Sequence, residues 1–146
     1  MDSDVQVGEQ GQQPPPTQPP IGPPGPPPPV VITCQGVPAT IVGTPGNDDL
    51  LGTDDRDVIA LLEGDDRVQA LGGDDLICGD EGNDLLLVGD AGDDEVFGGE
   101  GNDIMDGAGD DNLNSVDGEV NNDSLNGDTG TDTCESDPDL EVNCNP

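Results

Sequence analysis

The sequence of 146 residues contains no histidine, tryptophan or tyrosine, one phenylalanine, and only two basic residues against 34 acidic ones. Its formal net charge of -32 predicts repulsion from nucleic acid and from anionic lipid, and the missing aromatic rings remove the platforms on which bases stack. There is no run of about 18 apolar residues, so no insertion into a membrane is predicted. Cations are therefore the expected partners of this chain.

The missing histidine also bears on catalysis. A nucleophile that depends on a histidine base cannot be assembled without one, and zinc is disfavoured because no CxxC pair or histidine ligand is present. Hydrolysis by paired carboxylates needs two of them with separated pKa values in a concave pocket, whereas this sequence spaces its carboxylates evenly. We therefore predict no catalytic residues and no enzymatic activity.

The N-terminal part of the chain is rich in proline, glycine and glutamine. This composition favours extended polyproline II backbone, so residues 1–29 are predicted to form a disordered linker or stalk. Two β-branched runs follow, Val30–Thr33 and Ala39–Val42, and they predict N-terminal capping strands over residues 30–42.

From residue 43 to residue 135 the sequence repeats with a period of nine residues, through ten units. The sixth position is aspartate in every unit: Asp48, Asp57, Asp66, Asp75, Asp84, Asp94, Asp103, Asp111, Asp123 and Asp132. The eighth position is apolar in every unit: Leu50, Ile59, Val68, Ile77, Leu86, Val96, Met105, Leu113, Leu125 and Cys134. This regularity predicts one architecture for the whole segment.

Each unit combines a turn rich in glycine, asparagine and aspartate with a three-residue strand that has one inward side chain. Successive strands are expected to alternate between two facing parallel sheets, with the eighth-position residues between them. The predicted fold is an all-β parallel β-roll, a β-solenoid of about ten nonapeptide turns behind the proline-rich stalk.

Stacking the units brings the aspartates of alternate units to within about 5 Å of each other along each edge. Two carboxylates at this distance repel by roughly 3 kcal/mol at an effective dielectric constant near 20, so a cation between turns would stabilise the fold strongly. Carboxylate and carbonyl oxygens in adaptable turns suit Ca2+ better than Mg2+. The alternative is that the aspartates form only a solvated acidic face with turn-capping side chains.

The turn Gly98–Asp103 reads GGEGND and matches the pattern GGxGxD, so residues 43–135 resemble the RTX family of calcium-binding nonapeptide repeats. The resemblance implies several Ca2+ ions bound by the ten sixth-position aspartates and by backbone carbonyls of the best-matching turns, Gly79, Gly82, Gly89, Gly92, Gly99 and Gly101. Turns that lack a pattern residue, such as those with Asp55, Leu61 or Ala70 at a glycine position, are expected to bind weakly.

The resemblance also implies a secreted protein. A cysteine before the roll and a TDTC...NC ending look like small secreted RTX-like proteins of actinobacteria, and we expect general secretion to the extracellular space or cell surface. Four cysteines permit three pairings. We expect Cys134 with Cys144, which folds the C-terminal cap of residues 136–146 over the open end of the roll, and Cys34 with Cys78; a free, buried Cys134 is the alternative.

The outward positions carry an unusual apolar group in the middle units: Leu76, Leu85, Leu87, Phe97 and Ile104. This group is either a patch that binds an extracellular partner or a surface that the N-terminal strands cover. The sequence thus supports two functions: a calcium-dependent surface or matrix module, or an interaction protein that calcium orders. A fragment of a larger enzyme is a third possibility.

Overall fold

The computed structural model describes residues 25–88, 91–118, 123–136 and 141–144. Most of the predicted stalk, residues 1–24, lies outside the described residues. Residues 25–29, which follow, are exposed and have no regular secondary structure.

The described residues contain strands and no helix, so none of their segments is a helix that could cross a membrane. The strands are β1 (Thr33–Cys34), β2 (Val37–Pro38), β3 (Ile41–Val42), β4 (Asp49–Leu51), β5 (Val58–Ala60), β6 (Arg67–Gln69), β7 (Leu76–Glu81), β8 (Leu85–Val88), β9 (Glu95–Glu100), β10 (Ile104–Gly107), β11 (Asn112–Asn114), β12 (Ser124–Asn126), β13 (Thr133–Glu135) and β14 (Glu141–Asn143).

Strands β3 to β14 form two parallel sheets of six strands each. The first sheet has the order β4-β6-β8-β10-β12-β14, and the second has the order β3-β5-β7-β9-β11-β13. Because consecutive strands lie in opposite sheets, two nine-residue units complete one coil of the chain. The fold is the predicted parallel β-roll, and its ten units make about five full coils.

The core lies between the two sheets and contains the eighth-position residues. Leu86 is paired with Val68 on one side and with Met105 on the other, and all three side chains are fully buried. The same cluster contains the remaining eighth-position residues, with Leu50 and Cys134 only partly buried at its ends. Leu61 and Ala70, which occupy first positions where most units have glycine, are also fully buried in it.

The N-terminal residues cover one outer face of the roll. Strands β1 and β2 form a short antiparallel hairpin, and Cys34 from this hairpin is bonded to Cys78 of β7 with an S–S distance of 2.05 Å. Cys34 and Cys78 pack with Val58 and Leu76 in a second buried cluster. Strand β3, which was predicted as part of the cap, instead pairs with β5 and forms the edge of the second sheet.

The C-terminal residues extend the opposite end of the roll. Strand β14 pairs in parallel with β12, and a disulfide joins Cys134 to Cys144. Both bridges have the pairing expected from the sequence, and the alternative of a free Cys134 is wrong. The chain is therefore cross-linked near both ends of its repeat region.

The predicted central patch is not one surface. Leu76 and Phe97 lie on the outer face of the second sheet, where Leu76 is only 3% exposed and Phe97 packs against the cluster under the hairpin. Leu85 and Ile104 lie on the outer face of the first sheet, on the other side of the roll, and Ile104 is 50% exposed. Leu87 belongs to β8, a strand of the first sheet. A single patch of these five residues is wrong, because strands of adjacent units belong to opposite sheets.

Candidate metal centre

The sixth-position aspartates form a ladder along each edge of the roll. Since consecutive units alternate between sheets, one edge carries Asp48, Asp66, Asp84, Asp103 and Asp123, and the other carries Asp57, Asp75, Asp94, Asp111 and Asp132. Asp48 is half-buried, and the other nine are buried, with Asp103 fully inaccessible. A solvated acidic face, the alternative considered above, is therefore wrong for this position.

One carboxylate oxygen of each aspartate from Asp66 onward joins neighbouring coils. The backbone N–H of Asp84 donates to Oδ1 of Asp103 at 2.9 Å, and the backbone N–H of Asp66 donates to Oδ1 of Asp84 at 2.9 Å. The same bond recurs up both ladders, with donor-acceptor distances from 2.7 to 3.1 Å. These bonds explain why the sixth position requires a short side chain that accepts a hydrogen bond.

The second oxygen has no such partner in most units. Oδ2 is buried and accepts no hydrogen bond in Asp66, Asp75, Asp84, Asp94, Asp103, Asp111 and Asp132. A buried anionic oxygen without a donor or a counter-ion is costly, and folded proteins rarely leave one so. Its recurrence in seven units indicates that the roll provides oxygens for a group other than a protein donor.

Burial also changes the protonation of these carboxyls. Loss of hydration, together with repulsion from neighbouring carboxylates, raises the pKa of Asp84 from its ordinary value of 3.8 to about 7, although the hydrogen bond from the Asp66 backbone N–H acts in the opposite direction. The same causes raise the pKa of Asp94 and that of Asp103 to about 6. Burial likewise raises the pKa of Asp66, Asp75 and Asp111. In the absence of a cation, part of this charge is removed by protons.

The fourth-position glycines allow adjacent turns to approach closely. Gly101 lies over Gly82 and Gly82 over Gly64, so that a Cβ at either upper position would collide with the carbonyl oxygen below. Both residues also have a positive φ, of 142° at Gly82 and 132° at Gly101. Backbone carbonyls consequently stack beside the aspartate ladder.

The other glycines predicted as ligands occupy equivalent places. On the opposite edge Gly92 lies over Gly73, whereas Gly99 lies against the backbone of Asp80 on the same edge as Gly82 and Gly101. Gly79 is buried beside Oδ2 of Asp84. Gly89 lies outside the described residues. The structure thus brings the described glycines into the turns that contain the buried carboxylates, and their role as ligands remains a prediction.

The donor set fits calcium in its chemistry. In the described part of the chain, no three acidic or cysteine side chains come close enough to hold a metal ion by themselves. A cation between turns would therefore need backbone carbonyls in addition to the carboxylates. Carboxylate and carbonyl oxygens in turns of variable geometry are the ligands that Ca2+ takes, whereas Mg2+ requires a tight octahedron.

In the first unit on each edge, unlike most others, Oδ2 of the aspartate accepts hydrogen bonds. This difference was not predicted from the sequence. Oδ2 of Asp48 accepts hydrogen bonds from the backbone N–H and the hydroxyl of Thr44, at 2.6 and 3.1 Å. Oδ2 of Asp57 accepts the same pair of bonds from Thr53, at 2.7 and 3.0 Å. The signal was present in the sequence, because threonine occupies the second position in these two units alone.

The expected order of binding strength remains a prediction, and it does not follow the distribution of unpartnered Oδ2 atoms. The units of Leu61 and Ala70, predicted to be weak, have the same unpartnered Oδ2 in Asp66 and Asp75 as the unit that matches the full pattern. The first unit keeps both of its glycines, Gly43 and Gly46, yet its aspartate is satisfied by Thr44. Glycine content alone does not identify the turns with free ligand oxygens.

In a comparison with known proteins, the repeats match the model of one protein family. The model of the RTX calcium-binding nonapeptide repeat matches the chain in four copies, over residues 40–66, 51–86, 86–113 and 114–137. The matches run from residue 40 to residue 137, well over half of the chain. No curated protein and no solved structure matched.

Proposed function

Because the chain belongs to the family of RTX calcium-binding nonapeptide repeats, we propose that it is a secreted or cell-surface module in which calcium binding drives folding of the roll. The observation that supports this function best is the row of buried Oδ2 atoms without hydrogen-bond partners. Each is an unfavourable feature of the metal-free fold and a favourable one once a cation is bound.

The two carboxylate oxygens of the sixth-position aspartates have different roles. From Asp66 onward, Oδ1 of the sixth-position aspartate accepts a hydrogen bond from a backbone N–H of the preceding coil, and in seven of these eight units Oδ2 is left for the ion. Stacked turn carbonyls, such as those of Gly64 and Gly82, are the additional oxygens within the same edge. Bound calcium supplies positive charge that cancels the repulsion along each ladder.

The disulfides support the proposed location. Cross-links such as Cys34–Cys78 and Cys134–Cys144 persist in oxidising compartments, of which the extracellular space is one. We also propose that the module is not an enzyme, because its buried carboxylates repeat in equivalent environments along each edge instead of forming a pair with distinct roles.

Circular dichroism of the oxidised protein tests the proposed function. Spectra are recorded in EDTA, in millimolar calcium and in the same concentration of magnesium. We expect a gain of β signal with calcium and little change with magnesium. A spectrum that stays disordered in calcium, or one already fully β in EDTA and unaltered by calcium, would contradict calcium-driven folding.

A second candidate function rests on the outer face of the first sheet. Ile104 is half exposed there, with Leu85 beside it in one neighbouring strand and Ser124 in the other. The pair of Leu85 and Ile104 supports a function in protein interaction, in which calcium orders the roll and the ordered roll binds an extracellular partner. Calcium-dependent capture of such a partner should be lost in Ile104→Ser and retained in Ser124→Ala, with calcium uptake equal in both variants.

A further inference from the structure

The second position of the repeat adopts two backbone conformations. Thr44 and Thr53 have a negative φ, and their N–H groups point at the aspartate four residues later. In five other units the second-position residue has a positive φ: Leu62 at 84°, Leu71 at 78°, Asp80 at 71°, Gly99 at 103° and Asp128 at 52°. A β-branched residue strongly resists that left-handed conformation, so threonine selects the first form.

Among the nine-residue units whose second position the structure describes, the backbone conformation correlates with the state of the aspartate. The unit that begins at Gly107 is one residue short; its second residue, Ala108, has a negative φ, and Oδ2 of Asp111 has no hydrogen-bond partner. All five units with a left-handed second position have a buried Oδ2 that accepts no hydrogen bond, in Asp66, Asp75, Asp84, Asp103 and Asp132. Both threonine units have an Oδ2 that accepts two hydrogen bonds. The threonine N–H and hydroxyl thus bond the same oxygen that is left without a hydrogen-bond partner in the other turns.

Other interactions stabilise the same end of the roll without metal. The Cys34–Cys78 bridge ties the N-terminal hairpin to β7, and the hairpin covers Val58 and Leu76. The chain's two basic residues are also there: Arg56 donates from Nε to the carbonyl of Asp74 at 3.0 Å, and Arg67 lies 4.0 Å from Asp49. Positive charge and hydrogen-bond donors are therefore concentrated on the first coils.

We propose that the first two turns of the roll, closed by Thr44 and Thr53, fold without calcium and do not bind it, and that calcium-binding turns begin at Asp66. The N-terminal coil is then a preformed end on which the later turns assemble as they take up the ion. This inference rests on the proposed function for the later turns, but it concerns turns that the ion leaves alone.

Hydrogen exchange on the oxidised full chain tests this division directly. The probes are the amides of Thr44 and Thr53, compared with those of β10 and β11, first in EDTA and then in calcium. We expect the threonine amides to exchange at least about tenfold more slowly than the β10 and β11 amides in EDTA, and calcium to protect β10 and β11.

The outcomes separate the two proposals. If calcium protects no amide anywhere, the proposed function fails. If calcium protects β10 and β11 but the threonine amides exchange freely in EDTA and also need calcium, the proposed function stands and the metal-independent end is wrong.

Substitution of Thr44 tests whether threonine keeps the ion out. Thr44→Gly converts the first turn to GGPGND, which has the full GGxGxD pattern and a second position free to become left-handed. We expect this variant to bind one more calcium ion than the wild type, counted by native mass spectrometry. The matched control Thr44→Val keeps the β-branched backbone restriction without the hydroxyl and should bind the wild-type number. An unchanged count in Thr44→Gly would overturn the role of threonine.

Discussion

At the scale of the residue, the sixth-position aspartates of the central units use their two oxygens differently. Oδ1 bonds the preceding coil through a backbone N–H, as Asp103 does for Asp84, and this bond is present without metal. Oδ2 is buried without a donor in the central units. A single aspartate therefore stabilises the coil through one oxygen and destabilises the metal-free coil through the other.

Substitution of Asp103 by asparagine should separate these effects. The amide oxygen can still accept the bond from Asp84, but the buried negative charge is lost, so the metal-free protein should become more resistant to unfolding. Calcium affinity should fall by about tenfold or more, because one anionic ligand is removed. Urea unfolding in EDTA and calcium titration measure the two effects. Asp93→Asn, at the exposed fifth position beside Asp94, is the control, and equal losses of affinity in both variants would contradict the assignment.

The raised pKa values predict a pH dependence with opposite signs for the two states. Because the pKa of Asp84 is about 7 and that of Asp94 about 6 in the fold, against 3.8 ordinarily, the folded metal-free chain binds more protons than the unfolded chain. The resulting stability is fully present below about pH 4 and is lost as the pH rises through 6 to 7.

Calcium competes with the same protons, so its affinity should rise over the interval from pH 5 to about pH 7.5. Unfolding midpoints of the metal-free protein and calcium titrations, each measured across that interval, check both trends. Metal-free stability that is flat or increases with pH through this range would show that folding does not raise the pKa of these carboxyls.

At the scale of the element, the turn depends on close stacking of backbone. Gly82 has a φ of 142° and lies against the carbonyl of Gly64, whereas Gly46, at the same position of the first unit, has open space where a Cβ would stand. The same repeat position thus requires glycine in the middle of the roll but has room for a larger residue at its end.

Alanine substitution should reveal this contrast. Gly82→Ala is expected to destabilise the calcium-loaded protein by about 1–3 kcal/mol from backbone strain alone. The collision of the new Cβ with the carbonyl of Gly64 adds to this loss. Gly46→Ala should change stability by no more than about 0.5 kcal/mol. Thermal unfolding of both variants in calcium provides the comparison. Similar losses in the two would argue against the stacked geometry of the central turns.

At the scale of the whole molecule, the roll is closed by different means at its two ends. The N-terminal end has a hairpin, a buried cluster and the Cys34–Cys78 bridge, and the C-terminal end has β14 and the Cys134–Cys144 bridge. The bridges span 44 and 10 residues in sequence, so their effects on the unfolded chain differ.

Removal of each bridge by paired alanine substitutions should rank the two ends. By the chain-entropy estimate, the loss is about 4 kcal/mol for Cys34→Ala with Cys78→Ala, and about 3 kcal/mol for Cys134→Ala with Cys144→Ala. Urea unfolding of both double variants in calcium measures the difference. The ranking is wrong if the C-terminal pair proves the more costly to remove.

The sequence by itself determined the roll, because a period of nine with one invariant aspartate and one apolar position permits a single stacking of turns and strands. It also located the aspartates, because they recur at one position of the repeat, whereas the cysteine pairing was one of three that the sequence permits and is given by the structure. Tertiary structure decided which side chains share a face: Leu76 and Leu85 are near in sequence but lie on opposite sheets. It also decided which carboxylate oxygens stay free, because the bonds from Thr44 and Thr53 depend on the sign of a backbone angle that the repeat pattern does not specify.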